Sequence, residues 1–126
     1  MHRSRLTSIV IDCPEADYEK GVAFWSAALG RQVMVRDERF ASVRGRIGGE
    51  GSPYLGFQRV PSAERAIHLD IESDDVEAEV TRLAGLGARV KARIRNHVVM
   101  EAPSGHAFCV VPTRRRDFPA GAAEWP

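Results

Sequence analysis

The side chains with chemistry to offer gather in the second half of the chain. Ile67, Leu69 and Ile71 alternate with His68, Asp70 and Glu72, the period-two pattern of a strand with one apolar and one polar face. The alternation puts His68 and Asp70 on the same polar face, where an imidazole and a carboxylate can carry acid–base chemistry or metal ligation. Residues two apart in a strand are separated by about 7 Å, so direct pairing of the two does not follow from spacing alone. Further on, His106-Ala107-Phe108-Cys109-Val110-Val111 reads as a strand with a thiol in it. That thiol has three readings: a soft partner to His68 on zinc, a nucleophile with His68 as its base, or a small buried residue that fills space. In residues 54–60, Leu55 and Phe57 alternate with Tyr54, Gly56 and Gln58, which turns a phenol and an amide with both donors and an acceptor away from the apolar side. His97 and Glu101 share one side of a strand over 97–101, a pattern assigned here to the surface. His106 follows the Ser104-Gly105 turn and is read as stabilising it.

These groups must be positioned by a strand–helix–strand–strand–strand unit, and the chain carries that unit twice. In the second copy, the strand at 67–72 leads into a helix with Val76, Val80 and Leu83 at helical spacing. Asp74, three residues before Glu77, is its expected N-cap, and Leu86-Gly87 its stop. Strands over 89–95, 97–101 and 106–111 follow. In the first copy, a strand over 5–11 alternates Thr7, Ile9 and Ile11 with Leu6, Ser8 and Val10. After Asp17, residues Tyr18, Val22, Trp25 and Leu29 make one helical stripe, expected to be a core-facing seam, and Leu29-Gly30 stops it. Strands are expected over 32–36, 40–46 and 54–60, with the run from Gly48 to Pro53 as a break. Asp12 and Glu15 lie beyond the first strand and are read as solvated or as favourable charges near the helix N-terminus.

At 126 residues, 44% of them hydrophobic, the chain suffices for one domain over 1–126. Its two units, about 5–60 and about 65–112, must share their burial, and 113–126 form a tail. A net charge of +1 with both signs interspersed argues against nucleic acid or an anionic membrane as partner. The apolar run Ile9-Val10-Ile11 is far too short for a leader or a span, and two cysteines suit a reduced, cytoplasmic setting with both as thiols. In the tail, Arg114-Arg115-Arg116 is read as a solvated run. Phe118 and Trp125 point to packing on the domain or on a neighbouring subunit, against an equal case for a disordered terminus.

The order of elements, with IVIDCPEAD and FWSAALG in the first unit, YLGFQRVP at its end, and AIHLDIESDDVEAEVTRLAGLGARV with MEAPSGHAFCVVP in the second, resembles the vicinal oxygen chelate superfamily. This is the glyoxalase, bleomycin-resistance and extradiol-dioxygenase fold. The resemblance covers residues 5–112 and is nearest to the glyoxalase-like branch. It implies an α+β fold of two tandem βαβββ modules whose curved mixed sheets surround a shared cavity, with metal ligands on the first and last strands of each module. Carried onto this chain, the first ligand strand offers only Ser8 among Leu6, Ser8 and Val10, and Gly56 stands about where a relative has Glu. His68 matches the second module's ligand, and Cys109 stands in place of its final carboxylate. The expectation is a cavity that binds a small, partly apolar organic molecule through Tyr54, Gln58, His68, Asp70 and Cys109, with no tightly bound metal or other cofactor. The alternative is a lyase, isomerase or dioxygenase dependent on a divalent metal held by His68. A third reading is a non-catalytic interaction domain. Homodimerisation is implied by the resemblance.

Overall fold

Alternating patterns and helical stripes resolve into one mixed sheet backed by two helices. The computed structural model describes residues 1–61 and 66–126; the expected junction between the units falls on 62–65, outside the described residues. The first unit comprises β1 (His2–Pro14), α1 (Tyr18–Leu29, entered through a 3-10 turn at Glu15–Asp17), β2 (Val33–Val35), β3 (Phe40–Val43) and β4 (Tyr54–Val60). The second comprises β5 (Ile67–Ser73), α2 (Val76–Gly85), β6 (Arg89–Ile94), β7 (His97–Glu101) and β8 (Ala107–Pro112), and β9 (Ala123–Trp125) closes the chain. The strands run in the order β2-β3-β4-β1-β5-β8-β7-β6, with β9 added to β1. Strands β1 and β5 pair antiparallel at the centre, flanked by the parallel partners β4 and β8. The first and last strands of both units therefore lie side by side in a curved sheet.

One face of that sheet carries the core. Tyr18 and Val22 of α1 pack with Cys13, Ala41, Leu55 and Phe57. Val76, Val80 and Leu83 of α2 pack with Val98, Met100 and Val110. Fully burying Phe57 or Met100 stabilises the fold by roughly 1.5–3 kcal/mol each. The expected seam on α1 is only half formed. Trp25 and Leu29 are 36% and 45% exposed, with Trp25 set edge-on to Phe24. The helix meets the sheet through its first turns, and its end stands off it. At the centre, Ile67 and Leu69 turn to the helix side as their alternation requires, yet both are largely exposed, because neither helix covers the middle of β5.

The helix ends follow sequence with one displacement. Gly30 takes the left-handed conformation that closes α1. The cap of α2 is Asp75, whose side chain accepts from the Ala78 N–H at 3.0 Å. Asp74, the expected cap, accepts instead from the backbone N–H of Arg3 at 2.7 Å and ties β1 to the start of the helix.

The tail is ordered on its own domain. Strand β9 pairs with the N-terminal end of β1, Trp125 donates from its indole N–H to Ser4 Oγ at 2.9 Å, and the Arg82 guanidinium lies 3.8 Å from the Trp125 ring centroid. A second fastening is buried. Arg5 donates to Glu72 at 2.6 Å, to Asp117 at 2.9 Å and to the Ala120 carbonyl at 2.6 Å, and Arg46 reaches the same Asp117. Buried arginine is stable only when its fork is filled, so this network fixes where residues 117–120 must sit.

Candidate ligand-binding cleft

The face away from the helices is built by register. Val10 of β1 lies opposite Gly56 on one side and His68 on the other; Ser8 lies opposite Tyr54 and Asp70, and Asp12 opposite Gln58. Cys109 lies opposite Asp70 and next to Val99, and Phe40 opposite Gln58. Because cross-strand partners project to the same side, these side chains converge on one concave surface. It holds a cleft of two lobes, about 570 and 420 Å³, which share Gln58, Ile94 and His97 as common walls. The smaller lobe contains Asp12, His68 and Cys109; the larger contains Asp70 and Glu72 with a set of arginines.

His68 is the hub. Its Nδ1 lies 3.0 Å from Asp12 Oδ2, and its Nε2 lies 3.5 Å from Asp70 Oδ1, so each ring nitrogen faces a carboxylate. The second separation is too long and misaligned for a hydrogen bond, although it brings the charges together. Burial pushes the imidazole toward neutrality, but the hydrogen bond and charge of Asp12 and the charge of Asp70 outweigh it, and His68 titrates above its ordinary value. Burial raises Asp70, more than His68 and Arg114 lower it. Burial, with the nearby Asp70 and Asp12 carboxylates, pushes the Cys109 thiol up to about 12. Burial and the two carboxylates thus disfavour the thiolate, which argues against the reading of Cys109 as a nucleophile. Both cysteines are free.

Two buried oxygens in this hub, Asp12 Oδ1 and Asp70 Oδ1, have no hydrogen-bond partner among the described residues. Buried acceptors left open in this way are costly unless something else satisfies them. His68, Asp70 and Cys109 each offer one donor atom to a common point, with those atoms within 4.8 Å of one another.

Of the residues expected at the site, Gln58, His68, Asp70 and Cys109 are brought together. Tyr54 shares the face but is not part of the cleft wall. Arg46 and Arg115 cover its ring at 4.6 and 4.1 Å, so its surface is spent on cation–π packing. Gly56 leaves no room for a ligand either, since a Cβ there would lie 3.0 Å from Phe40 Cζ; the space belongs to the Phe40 ring. Asp12 is the main departure. The strand runs three residues past its expected end, to Pro14, and that extension places Asp12 on the same face as Ser8 and Val10. His97, assigned to the surface, is a wall of both lobes, and Arg114 and Arg115, read as solvated, line the larger one. His106 behaves as expected, with Nδ1 2.9 Å from Ser104 Oγ in the turn, while it also borders the smaller lobe. Glu101 pairs with Arg89 at 2.8 Å outside the cleft.

A model of the glyoxalase-like domain family matches residues 8–111 of the chain. No curated protein matches it. Among solved structures, an extradiol ring-cleaving dioxygenase from B. fuscum superposes with a TM-score of 0.58 at 15% identity, covering 95% of this chain and 34% of that one. A Mn(II)-bound glyoxalase from Novosphingobium aromaticivorans gives 0.59 at 18%, covering 86% and 40%. A homoprotocatechuate 2,3-dioxygenase from Arthrobacter globiformis gives 0.56 at 18%, covering 95% and 37%. The chain thus spans between a third and two fifths of the length of these structures, and the likeness is one of fold.

Proposed function

We propose that this chain, which belongs to the glyoxalase-like domain family of the vicinal oxygen chelate superfamily, holds a small, partly apolar organic molecule against His68 without a tightly bound metal. One observation carries the reading: Asp12 and Asp70 flank His68 at the junction of the lobes, and each keeps a buried oxygen with no hydrogen-bond partner among the described residues. Open acceptors of this kind call for donors, such as a ligand hydroxyl or amine, while Ile94, Val99 and Phe108 supply apolar wall for the rest of the molecule. Asp12 orients the imidazole through Nδ1, and the Nε2 side of the ring, toward Asp70, is the edge at which a ligand can exchange a hydrogen bond or a proton. The donor chemistry supports the metal-independent form. Val10 and Gly56, which lie in register with His68, offer no ligand atom from the first unit.

A second reading is favoured by the same hub. His68, Asp70 and Cys109 fit a borderline divalent ion in number and type, with the open oxygen of Asp70 among the donors. In that form, these three residues would hold the ion and Asp12 would orient the His68 ring from behind. The ion would supply Lewis-acid polarisation of a substrate oxygen.

The test is ligand-observed NMR of small hydroxylated aromatic and aliphatic compounds against the native chain, His68→Ala and Asp12→Asn. Affinity for the best binder should fall about tenfold or more in either variant, with the unfolding midpoint little changed. Unchanged affinity in both folded variants would remove His68 and Asp12 from the site.

A further inference from the structure

The larger lobe is lined by Arg36, Arg39, Arg95, Arg114 and Arg115, which come from three separate segments: the β2–β3 connection, the β6–β7 turn and the chain after β8. Elsewhere, Arg31, Arg44 and Arg116 are in no ion pair among the described residues, while Arg3, Arg5, Arg46, Arg59, Arg82, Arg89 and Arg93 are each in an ion pair with Asp or Glu. Among the described residues, none of the five cleft arginines is. The Arg36 guanidinium donates to the neutral Ser42 Oγ, at 3.2 and 3.3 Å, and Arg115 spends its face on Tyr54. The acids that share the lobe act on Arg114 and Arg115 by charge but form no ion pair with the five among the described residues. Glu72 is committed to Arg5 and to the backbone N–H of Arg114, Asp37 accepts from the backbone N–H of Arg39, and Asp70 faces His68. A chain whose net charge is only +1 thus places around one concavity five guanidiniums that form no ion pair among the described residues.

Burial lowers His97, and repulsion from Arg114 and Arg95 adds to it. Arg115 is lowered chiefly by burial, against Tyr54 and Glu72, with smaller contributions from Arg36 and Arg46.

We infer that the arginine-lined lobe binds an oxyanion of the ligand, a carboxylate or phosphoryl group, so that the molecule in the cleft is an organic anion whose less polar end reaches His68. Guanidinium forks match the oxygens of such groups bidentately, which an uncharged ligand could not exploit. This rests on the cavity reading above and adds the chemical class of the ligand to it.

The experiment compares two fluorophores with the same ring system, 8-anilinonaphthalene-1-sulfonate and uncharged N-phenyl-1-naphthylamine, on the full chain and on an Arg39→Gln/Arg95→Asn double variant. Both arginines are exposed with no side-chain partner among the described residues, and Asn suits the positive φ of 55° at position 95. The sulfonate should bind at least about tenfold more weakly to the variant, while the neutral dye binds both forms alike and the unfolding midpoint is unchanged. Benzyl phosphate or phenylacetate should displace the sulfonate where benzyl alcohol does not, and the stronger of the two acids identifies the oxyanion. Equal sulfonate affinity for the native chain and the folded variant, or displacement by benzyl alcohol as effective as by the acids, would overturn the inference. The cavity reading would survive that result if His68→Ala still weakened the neutral dye, and would fall with it if neither dye bound the native chain.

Discussion

Acid should unfold this protein through one buried carboxylate. The Glu79 side chain is fully buried on the inner side of α2. It accepts from Arg82 at 2.8 and 2.9 Å through both of its oxygens and lies 2.8 Å from His2 Nε2. Burial alone would raise its pKa, but hydrogen bonds from Arg82, Ser4 and His2 outweigh that and hold it at about 2, against an ordinary 4.5. Because the folded value is depressed, the stabilisation is fully present above pH 4.5 and is lost as pH falls toward 2. The displacement corresponds to roughly 3 kcal/mol, an upper figure because Arg82 is 25% exposed and its charge is partly screened. Replacing Glu79 with Gln keeps the volume and removes the charge, leaving the Arg82 fork half filled. Urea unfolding followed by circular dichroism should show a loss of roughly 2–3 kcal/mol at pH 7, shrinking at pH 3 because below 4.5 the unfolded chain takes up the proton that the folded carboxylate still excludes. A penalty that is the same at pH 7 and pH 3, or a loss below about 0.5 kcal/mol at pH 7, would refute the electrostatic account and leave Glu79 as packing.

Further outcomes are expected elsewhere. Gly51 has φ +82°, and a Cβ there would lie 2.8 Å from the Ala120 carbonyl oxygen; Gly51→Ala should cost roughly 1–3 kcal/mol and expose the 113–126 segment to limited proteolysis. Asp12→Asn should lower the titration midpoint of His68, read from its imidazole ¹⁵N shifts, because the Asp12 hydrogen bond and charge oppose burial in holding it above the ordinary value. Neither thiol should react with iodoacetamide in the native state at pH 8, since burial raises Cys13 and holds Cys109 at about 12. Both should react once the chain is unfolded in urea, and mass spectrometry separates the two cases.

Much of the architecture could be read from local patterns. The strand–helix–three-strand order, strands β4 and β7 to the residue, and both helix stops follow from alternation, helical spacing and Leu-Gly endings. What escaped depends on contacts between distant segments. Asp12 joined the site because β1 pairs with β4 as far as Pro14, and a strand's length is set by its neighbours as much as by its own alternation. Trp25 carries the helical spacing of a core residue, but how far a helix rides along a sheet is a matter of docking, and α1 docks by its first turns. Arg114 and Arg115 look like any basic run until the chain after β8 turns them into the concave face. His68, Asp70, Gln58 and Cys109 were legible because each stands within a strand whose faces the sequence distinguishes.

The central claim, a cleft that works through His68 without a tightly held metal, is tested most directly by elemental analysis. Untagged protein would be loaded separately with zinc, iron(II), manganese and nickel, dialysed, and analysed beside His68→Ala and Cys109→Ser. The account predicts well under one ion per chain in every form, with ligand binding unaffected by a chelator. One ion per chain in the native protein, lost in both variants, would contradict it and make His68, Asp70 and Cys109 a metal centre.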